Sequence, residues 1–394
     1  MNFKIPFSGV GAKYSMHEKE VVLEAMETSD TLTQGKYQDQ FEKVFSKFVG
    51  MKYSYATSCA ASALELAATV MSFKVGDEVV CPAHTYNASA YPFAKHGAKL
   101  VWADINEETW VCDVSTLDAV VTENTKAIVV VHLYGAPANM PEIVKYAKRK
   151  NLIVIEDCAQ AIGASIAGKP VGSYGDISIF SFHSHKNIST LGEGGMICTN
   201  NAQYAKLIPG LRHNGHAPYI DRDPRYYWKP AMSNVDVDIE GIWPNNFCIG
   251  EVQCALGAAM LPRIQEINDL RRRRFLRFEE ATKNLDQVKL QKFYPSAVST
   301  HHLLPLMFTG KIVSRDLIIE KLAYEYGIQA IVQYYPLNRY PLFYKNGFGN
   351  AMVPNTDKLF DSMVSLPFHQ WMGEDEFTYV IESTVDCIDK YDRL

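Results

Sequence analysis

The chain has 394 residues, is 47% hydrophobic, and carries 39 Lys+Arg against 44 Asp+Glu; that is apolar material for two or three cored domains, with no general basic field to attract nucleic acid or an anionic membrane. Its eight cysteines include no C-x-x-C pair, and no metal-ligand spacing recurs among them and the eleven histidines, which reads as a reducing compartment and no metal site. Nowhere do eighteen apolar residues run uninterrupted, and the first residues lack a secretory signal's apolar core, so the expectation is a soluble, cytoplasmic protein that binds neither membrane nor nucleic acid.

Apolar residues at helical spacing predict a helix over Met16 to Ser29 and a second over Gln38 to Val49, with Phe41, Val44, Phe45 and Phe48 on one face and Gly50 after it. SYATSCAASALELAATVMSF then runs from a short strand through small residues into a helix, and GDEVVCPA gives a turn and a strand. KLVWADI, AIVVVHLYG and LIVIED continue as β-branched strands, with PEIVKYAKRK a helix between the last two. Buried strands alternating with helices predict a mostly parallel sheet. DISIFSF and GGMICTN lie so close together that an antiparallel pairing or a short reversal is expected there.

Residues 210–246 lose periodicity in a loop rich in Pro, Asn, Tyr and Trp, of the kind that covers or forms a site. GEVQCALGAAMLPRIQEINDLRRRRFLRFEEATKNL predicts one or two long helices, broken or bent near Pro262, followed by the strand HHLLPLMF and the helix SRDLIIEKLAYEYG. A domain boundary is expected there, with residues 1–255 as a large α/β domain carrying N-terminal helices and 256–394 as a smaller α+β domain. Arg271 to Arg274 form the only basic cluster, with Asp269 four residues before Arg273. It reads as a solvated helix face, a phosphate or nucleic-acid site being the alternative.

Asp157 follows the strand LIVI, which places it at the carboxyl end of a strand, the edge where open α/β sheets bind ligands. DISIFSF ends in Ser181, His183, His185 and Lys186, followed by the glycine-rich GEGGM. A sequestered lysine amine loses its proton and attacks a carbonyl to form a Schiff base. Small residues from Thr57 to Leu64 enter a helix and let backbone N–H groups approach a phosphate at the positive end of its dipole. Tyr86 follows strand DEVVC and has a ring to stack on a flat cofactor. Each feature alone has a plainer explanation: a helix cap, a surface lysine, close packing, a core aromatic. Together they meet the needs of pyridoxal 5'-phosphate, namely a lysine, a carboxylate for the pyridine nitrogen and a phosphate cup.

At these positions the chain resembles the DegT/StrS family of pyridoxal-phosphate-dependent sugar aminotransferases, over nearly its entire length. The likeness rests on TLTQGKYQDQFEKVFSKFVGMKY, HTYNASA, VVHLYGAPANM, EDCAQAIGA, SFHSHKN with GEGGM, YYPLNRYPLF and SLPFHQWM. It implies an α/β, fold-type-I aminotransferase with a mostly parallel seven-stranded sheet flanked by helices and a smaller C-terminal domain. It implies that Lys186 bonds the cofactor and moves protons, that Asp157 pairs with the pyridine nitrogen, that Gln160 lies near the ring hydroxyl, and that Ser181 binds the phosphate. Ala61 and Ser62 fall at the phosphate-binding backbone and Tyr86 at the stacking aromatic. Asn246 falls where the family reaches the neighbouring subunit's phosphate, which implies a homodimer with shared active sites.

Three positions depart from the family pattern: Ala60 where a glycine is usual, Leu191 as an extra residue between Lys186 and Gly192, and Cys248 where an arginine is common. His183, Tyr335 and the aromatic stretch Tyr226 to Trp228 are the candidates for holding a sugar. His183 and His185 also fit proton transfer, a structural role being the alternative. The expected reaction moves an amino group from an amino acid, glutamate by resemblance, to a keto-sugar for surface polysaccharide or lipopolysaccharide. The SFHSHKNISTLGEGGM variant is similar to the branch that aminates C8 of an octulosonate; a nucleotide-linked keto-deoxysugar is the alternative acceptor. A dehydratase branch with histidine in place of the lysine is disfavoured by Lys186, and a non-catalytic regulator by the presence of both Lys186 and Asp157. A dehydrogenase is disfavoured by the missing G-x-G-x-x-G.

Overall fold

The computed structural model describes residues 2–216 and 238–392. Its centre is a seven-stranded sheet built from β1 (Tyr53–Thr57), β2 (Glu78–Pro82), β3 (Lys99–Ala103), β4 (Thr125–Val131), β5 (Ile153–Asp157), β8 (Ile177–Ser181) and β9 (Gly195–Thr199). The two-residue strands β6 (Ser165–Ile166) and β7 (Lys169–Pro170) form a small hairpin beside it. The order is β1-β9-β8-β5-β4-β2-β3, and only β9 runs against the others. The expected reversal between DISIFSF and GGMICTN is this antiparallel pair, Ile177 facing Thr199 and Ser181 facing Gly195. The strands are almost wholly buried, as befits a parallel sheet covered on both faces.

The N-terminal helices are α1 (Met16–Thr28) and α2 (Lys36–Val49). Ser15 caps α1 reciprocally with Glu18, and α2 stops at Gly50 in the left-handed region (φ 79°). Phe41 and Phe45 of α2 are fully buried against Phe180 and Phe182. Since successive side chains of a strand point to opposite faces, burial of Phe180 and Phe182 under α2 turns Ser181 the other way. Helices α3 (Ala60–Met71), α4 (Tyr91–Lys95), α5 (Val114–Asp118), α6 (Met140–Lys150) and α7 (Ala202–Arg212) follow the strands.

α8 (Glu251–Met260) packs on α1 and α2, and its buried Glu251 accepts from the N–H groups of Gly35, Tyr37 and Gln38, so one carboxylate caps the start of α2 from another element. A single 3₁₀ turn at Leu261–Arg263, containing Pro262, joins it to α9 (Ile264–Thr282), so the α-helical run is broken at the expected proline. The boundary expected at residue 255 lies inside α8. Beyond α9, β10 (Val288–Leu290), β12 (Leu304–Phe308) and β13 (Met363–Leu366) form a three-stranded antiparallel sheet, while β11 (Ala297–Val298) pairs with β6. Helices α10 (Arg315–Tyr324), α11 (Pro341–Phe343), α12 (Pro354–Ser362) and α13 (Glu374–Tyr391) complete the region, with α10 and α13 packed together.

The arginine cluster on α9 is not the solvated face expected from its composition. Arg271 and Arg274 are 1% and 3% exposed, while Arg272 and Arg273 face solvent; Asp269 accepts from Gln265. Arg271 donates to the carbonyls of His301 (3.2 Å), His302 (2.9 Å) and Phe368 (3.4 Å) and to Gln370 Oε1 (3.0 Å). Arg274 donates to His369 O (2.7 Å), Met372 O (2.6 Å) and Glu374. The guanidinium forks thus pair backbone oxygens that no strand satisfies.

Candidate active site

The carboxyl ends of the parallel strands open on one cavity of about 410 Å3, lined by segments that follow β1, β2, β5 and β8; a volume in the range of small-molecule sites. Along β5 the side chains alternate. Glu156, fully buried, accepts from the N–H groups of Gly172, Tyr174 and Gly175 and faces His132. Asp157, 4% exposed, lines the cavity. Its Oδ2 accepts from Ser89 Oγ at 2.7 Å and its Oδ1 from the Ala159 N–H at 3.0 Å. Ser89 spends its one proton on Asp157, so the 3.0 Å contact between the Thr85 and Ser89 hydroxyls has Thr85 donating. These bonds fix the orientation of the carboxylate on the cavity wall.

Lys186 lines the same cavity, in the turn after β8. The turn is closed by Phe182 N–H to Gly194 O (2.8 Å), Ser184 N–H to Gly192 O (2.9 Å) and Lys186 N–H to His183 O (2.8 Å). The N-terminal segment crosses it: Gly11 N–H donates to Ser184 O at 2.7 Å, and a Cβ on Gly11 would collide with the carbonyl oxygens of His185 and Lys186. Burial pulls the Lys186 amine down to about 8, against the opposing fields of Asp157 and Glu193. An appreciable share of the amine is therefore unprotonated near neutrality.

α3 points its N-terminus at the cavity through Cys59, Ala60 and Ala61. Cys59 is the N-cap, its sulfur accepting from the Ser62 N–H, so Ala60 begins the helix and is absent from the left-handed residues among those described. Alanine thus fits where the family pattern has glycine. The close approach is provided instead by Gly195 of β9, where a Cβ would collide with Cys59 C and Ala60 N. Leu191 stands at φ 62°, 46% exposed at the tip of the lysine loop beside Gly192.

The cavity brings together Ala61, Tyr86, Asp157, Gln160, Ser181, His183 and Lys186. Tyr86 is 59% exposed and meets Tyr334 edge to face at 6.1 Å. Gln160 Oε1 accepts from the Tyr134 N–H at 2.6 Å and its Nε2 donates to Tyr334 Oη at 2.8 Å, which orients the amide. His183 Nδ1 accepts from the His185 N–H at 3.3 Å, and its Nε2 lies 3.6 Å from Glu193. Ser62 is not among the lining residues; its hydroxyl turns to Ser58 and Cys59. Tyr335 also lies off the cavity, against Tyr340 and Phe360, while Tyr334 lines it. Asn246 is exposed, on a segment paired with His213, and does not reach the cavity of its own chain. Tyr226 to Trp228 lie outside the described residues.

Sequence reasoning missed Ser89 and Thr85, although both stand in the quoted HTYNASA, and missed Phe7, His302, Tyr334 and His369, which arrive from distant parts of the chain. The cavity fits pyridoxal phosphate by observation: a carboxylate, an amine that burial draws down, an exposed aromatic face and a helix N-terminus border one space.

The model of the DegT/DnrJ/EryC1/StrS aminotransferase family matches residues 14–385. The chain belongs to this family. Curated relatives include GDP-perosamine synthase of Escherichia coli O157:H7, 31% identical over 93% of this chain and 94% of that protein. Another is UDP-N-acetyl-3-dehydro-alpha-D-glucosamine 3-aminotransferase of Acidithiobacillus ferrooxidans, 32% identical over 84% and 83%. Among solved structures, Helicobacter pylori PseC, an aminotransferase involved in the biosynthesis of pseudoaminic acid, superposes with a TM-score of 0.88 at 26% identity, covering 98% of this chain and all of that one. The protein is a pyridoxal-phosphate-dependent sugar aminotransferase of fold type I. No helix among the described residues is long and apolar enough to cross a membrane.

When bound, pyridoxal phosphate supplies the electron sink for a carbanion. Asp157 would hold a proton on the pyridine nitrogen, since a fixed anion beside it favours the charged form. The backbone N–H groups at the start of α3, with Ser181, would hold the phosphate. Lys186, whose amine burial makes easier to deprotonate, would bond the cofactor and move a proton at the reacting carbon.

Proposed function

We propose that the enzyme transfers the amino group of glutamate to a nucleotide-linked keto-deoxysugar used in surface polysaccharide synthesis. In this exchange the sugar C=O gives way to C–N and C–H bonds while the donor's C–N becomes C=O, so no outside oxidant takes part. The observation that carries this acceptor is the match, over 83% or more of their lengths, to relatives whose names specify GDP- and UDP-linked sugars. The resemblance of SFHSHKNISTLGEGGM to the octulosonate branch has no such support, so the sugar acid stands second.

In the proposed enzyme two copies of the chain share their active sites, each Asn246 facing the other's phosphate. Its exposed position away from its own cavity supports that arrangement. His183, on the cavity wall with Glu193 behind it, is the residue of this chain proposed to hold the sugar. Tyr335 keeps that role only through its neighbour Tyr334.

The test is a panel of keto-sugars offered to enzyme that has first reacted with glutamate. Turnover with GDP-, UDP- or dTDP-linked keto-deoxysugars, and none with the free 8-oxo-octulosonate, is expected; the reverse selectivity would overturn the acceptor.

A further inference from the structure

Behind Lys186 the polar side chains form a chain in which each hydrogen-bond direction fixes the next. Asn268 Nδ2 donates to Ile162 O at 3.0 Å, so Asn268 Oδ1 is the acceptor for Asn187 Nδ2 at 2.8 Å. Asn187 Nδ2 also reaches Thr300 O at 3.3 Å. That leaves Asn187 Oδ1 as the atom 3.1 Å from His302 Nδ1. An amide oxygen has no proton to give, so Nδ1 of His302 carries the hydrogen. Burial, with the fields of Lys186, Arg271, His185 and His183, holds the His302 ring well below its usual range, so it is neutral and Nε2 is a bare lone pair. His302 lines the cavity and is otherwise 4% exposed, and its ring makes no second hydrogen bond among the described residues. Its carbonyl is gripped by Arg271, which holds its backbone in place.

An unprotonated nitrogen of this kind takes hydrogen bonds from O–H or N–H groups and repels carboxylate oxygens. The two substrates that use the cavity in turn differ in this respect: the amino-acid donor is rich in carboxylate, the sugar in hydroxyl. We infer that His302 Nε2 is a specificity-determining atom, accepting a hydrogen bond from a hydroxyl of the keto-sugar and seating that ring beside Lys186. The inference rests on the sugar-acceptor reading and names the atom that enforces it. Asn187, one residue past the reactive lysine, is its positioning residue, because it sets which ring nitrogen is bare.

The test has two arms. Long-range 1H–15N correlation spectra of histidine-labelled wild-type enzyme are expected to show His302 with Nδ1 protonated and Nε2 unprotonated at pH 7. Nε2 should then shift towards the hydrogen-bonded range on addition of a UDP-linked deoxyhexose. A protonated Nε2, or no change with the sugar, would overturn the inference. In the second arm, His302→Phe should raise KM for the keto-sugar about tenfold, the loss of one hydrogen bond. The glutamate half-reaction should change less than twofold, and His302→Gln, which keeps an acceptor at that place, should recover most of the KM. Equal damage to both half-reactions, or no recovery with Gln, would overturn it. If the wild-type enzyme fails to react with glutamate at all, the proposed function fails instead, and the tautomer is still read from the spectra. The spectral arm does not depend on the variant folding.

Discussion

The placement of Asp157 and Lys186 was legible because each lies just past an apolar strand at the sheet's carboxyl edge, Asp157 at the end of β5 and Lys186 in the turn after β8. What holds them was not. Ser89 belongs to a segment after β2, and His302 and Tyr334 come from the C-terminal region, so their arrival depends on packing that no local pattern records. Tyr335 and Tyr334 show how fine the distinction is, since adjacent residues of an extended chain point to opposite sides and a shift of one exchanges cavity for surface. Two predictions belong at this scale. Lys186→Ala should lower turnover about 10³-fold or more, the size of a lost proton-transfer group; steady-state kinetics at saturating cofactor checks it. With the amine drawn down to about 8, the rate at which an amine-selective acylating reagent labels Lys186 in cofactor-free enzyme should rise with pH and level off above that value. A rate still climbing beyond pH 10, as for an ordinary lysine, would contradict the burial argument.

Among the elements, α2 was predicted with its apolar face intact because helical spacing survives in the sequence, and the antiparallel β8–β9 pair because the short stretch between the strands ends in a glycine-rich turn rather than a crossover helix. α9 misled for a definite reason. Four consecutive arginines cover every side of a helix, and composition cannot tell which two will find carbonyls; Arg271 and Arg274 found them in the segments at 301–302 and 368–372. Arg271→Met should therefore cost about 3 kcal/mol, since several buried oxygens lose their donor, read as a lowered urea midpoint of the cofactor-free protein. Gly195→Ala tests the phosphate end. Its methyl would drive β9 from the start of α3, and the expected result is a cofactor affinity at least about tenfold weaker with a stability loss of about 1–3 kcal/mol, measured by equilibrium titration and denaturation.

As a whole molecule, the enzyme gathers its site from both ends of the chain: the segment around Gly11 lies over the lysine turn, and residues near 302, 334 and 369 close the far wall. Such long-range assembly explains why the cavity's full outline was not readable, while the place of Asp157 and Lys186 on its wall was. The proposed sharing of sites between two copies predicts a dimer in sedimentation equilibrium and a cofactor affinity weakened several-fold by Asn246→Ala; an active monomer would contradict it. The central claim is that one lysine and one carboxylate from neighbouring strands serve a single cofactor. Borohydride reduction of the holoenzyme followed by peptide mass spectrometry tests it most directly. The reduced cofactor's mass is expected on the peptide containing Lys186 and nowhere else; label on another lysine, or none, would contradict the claim.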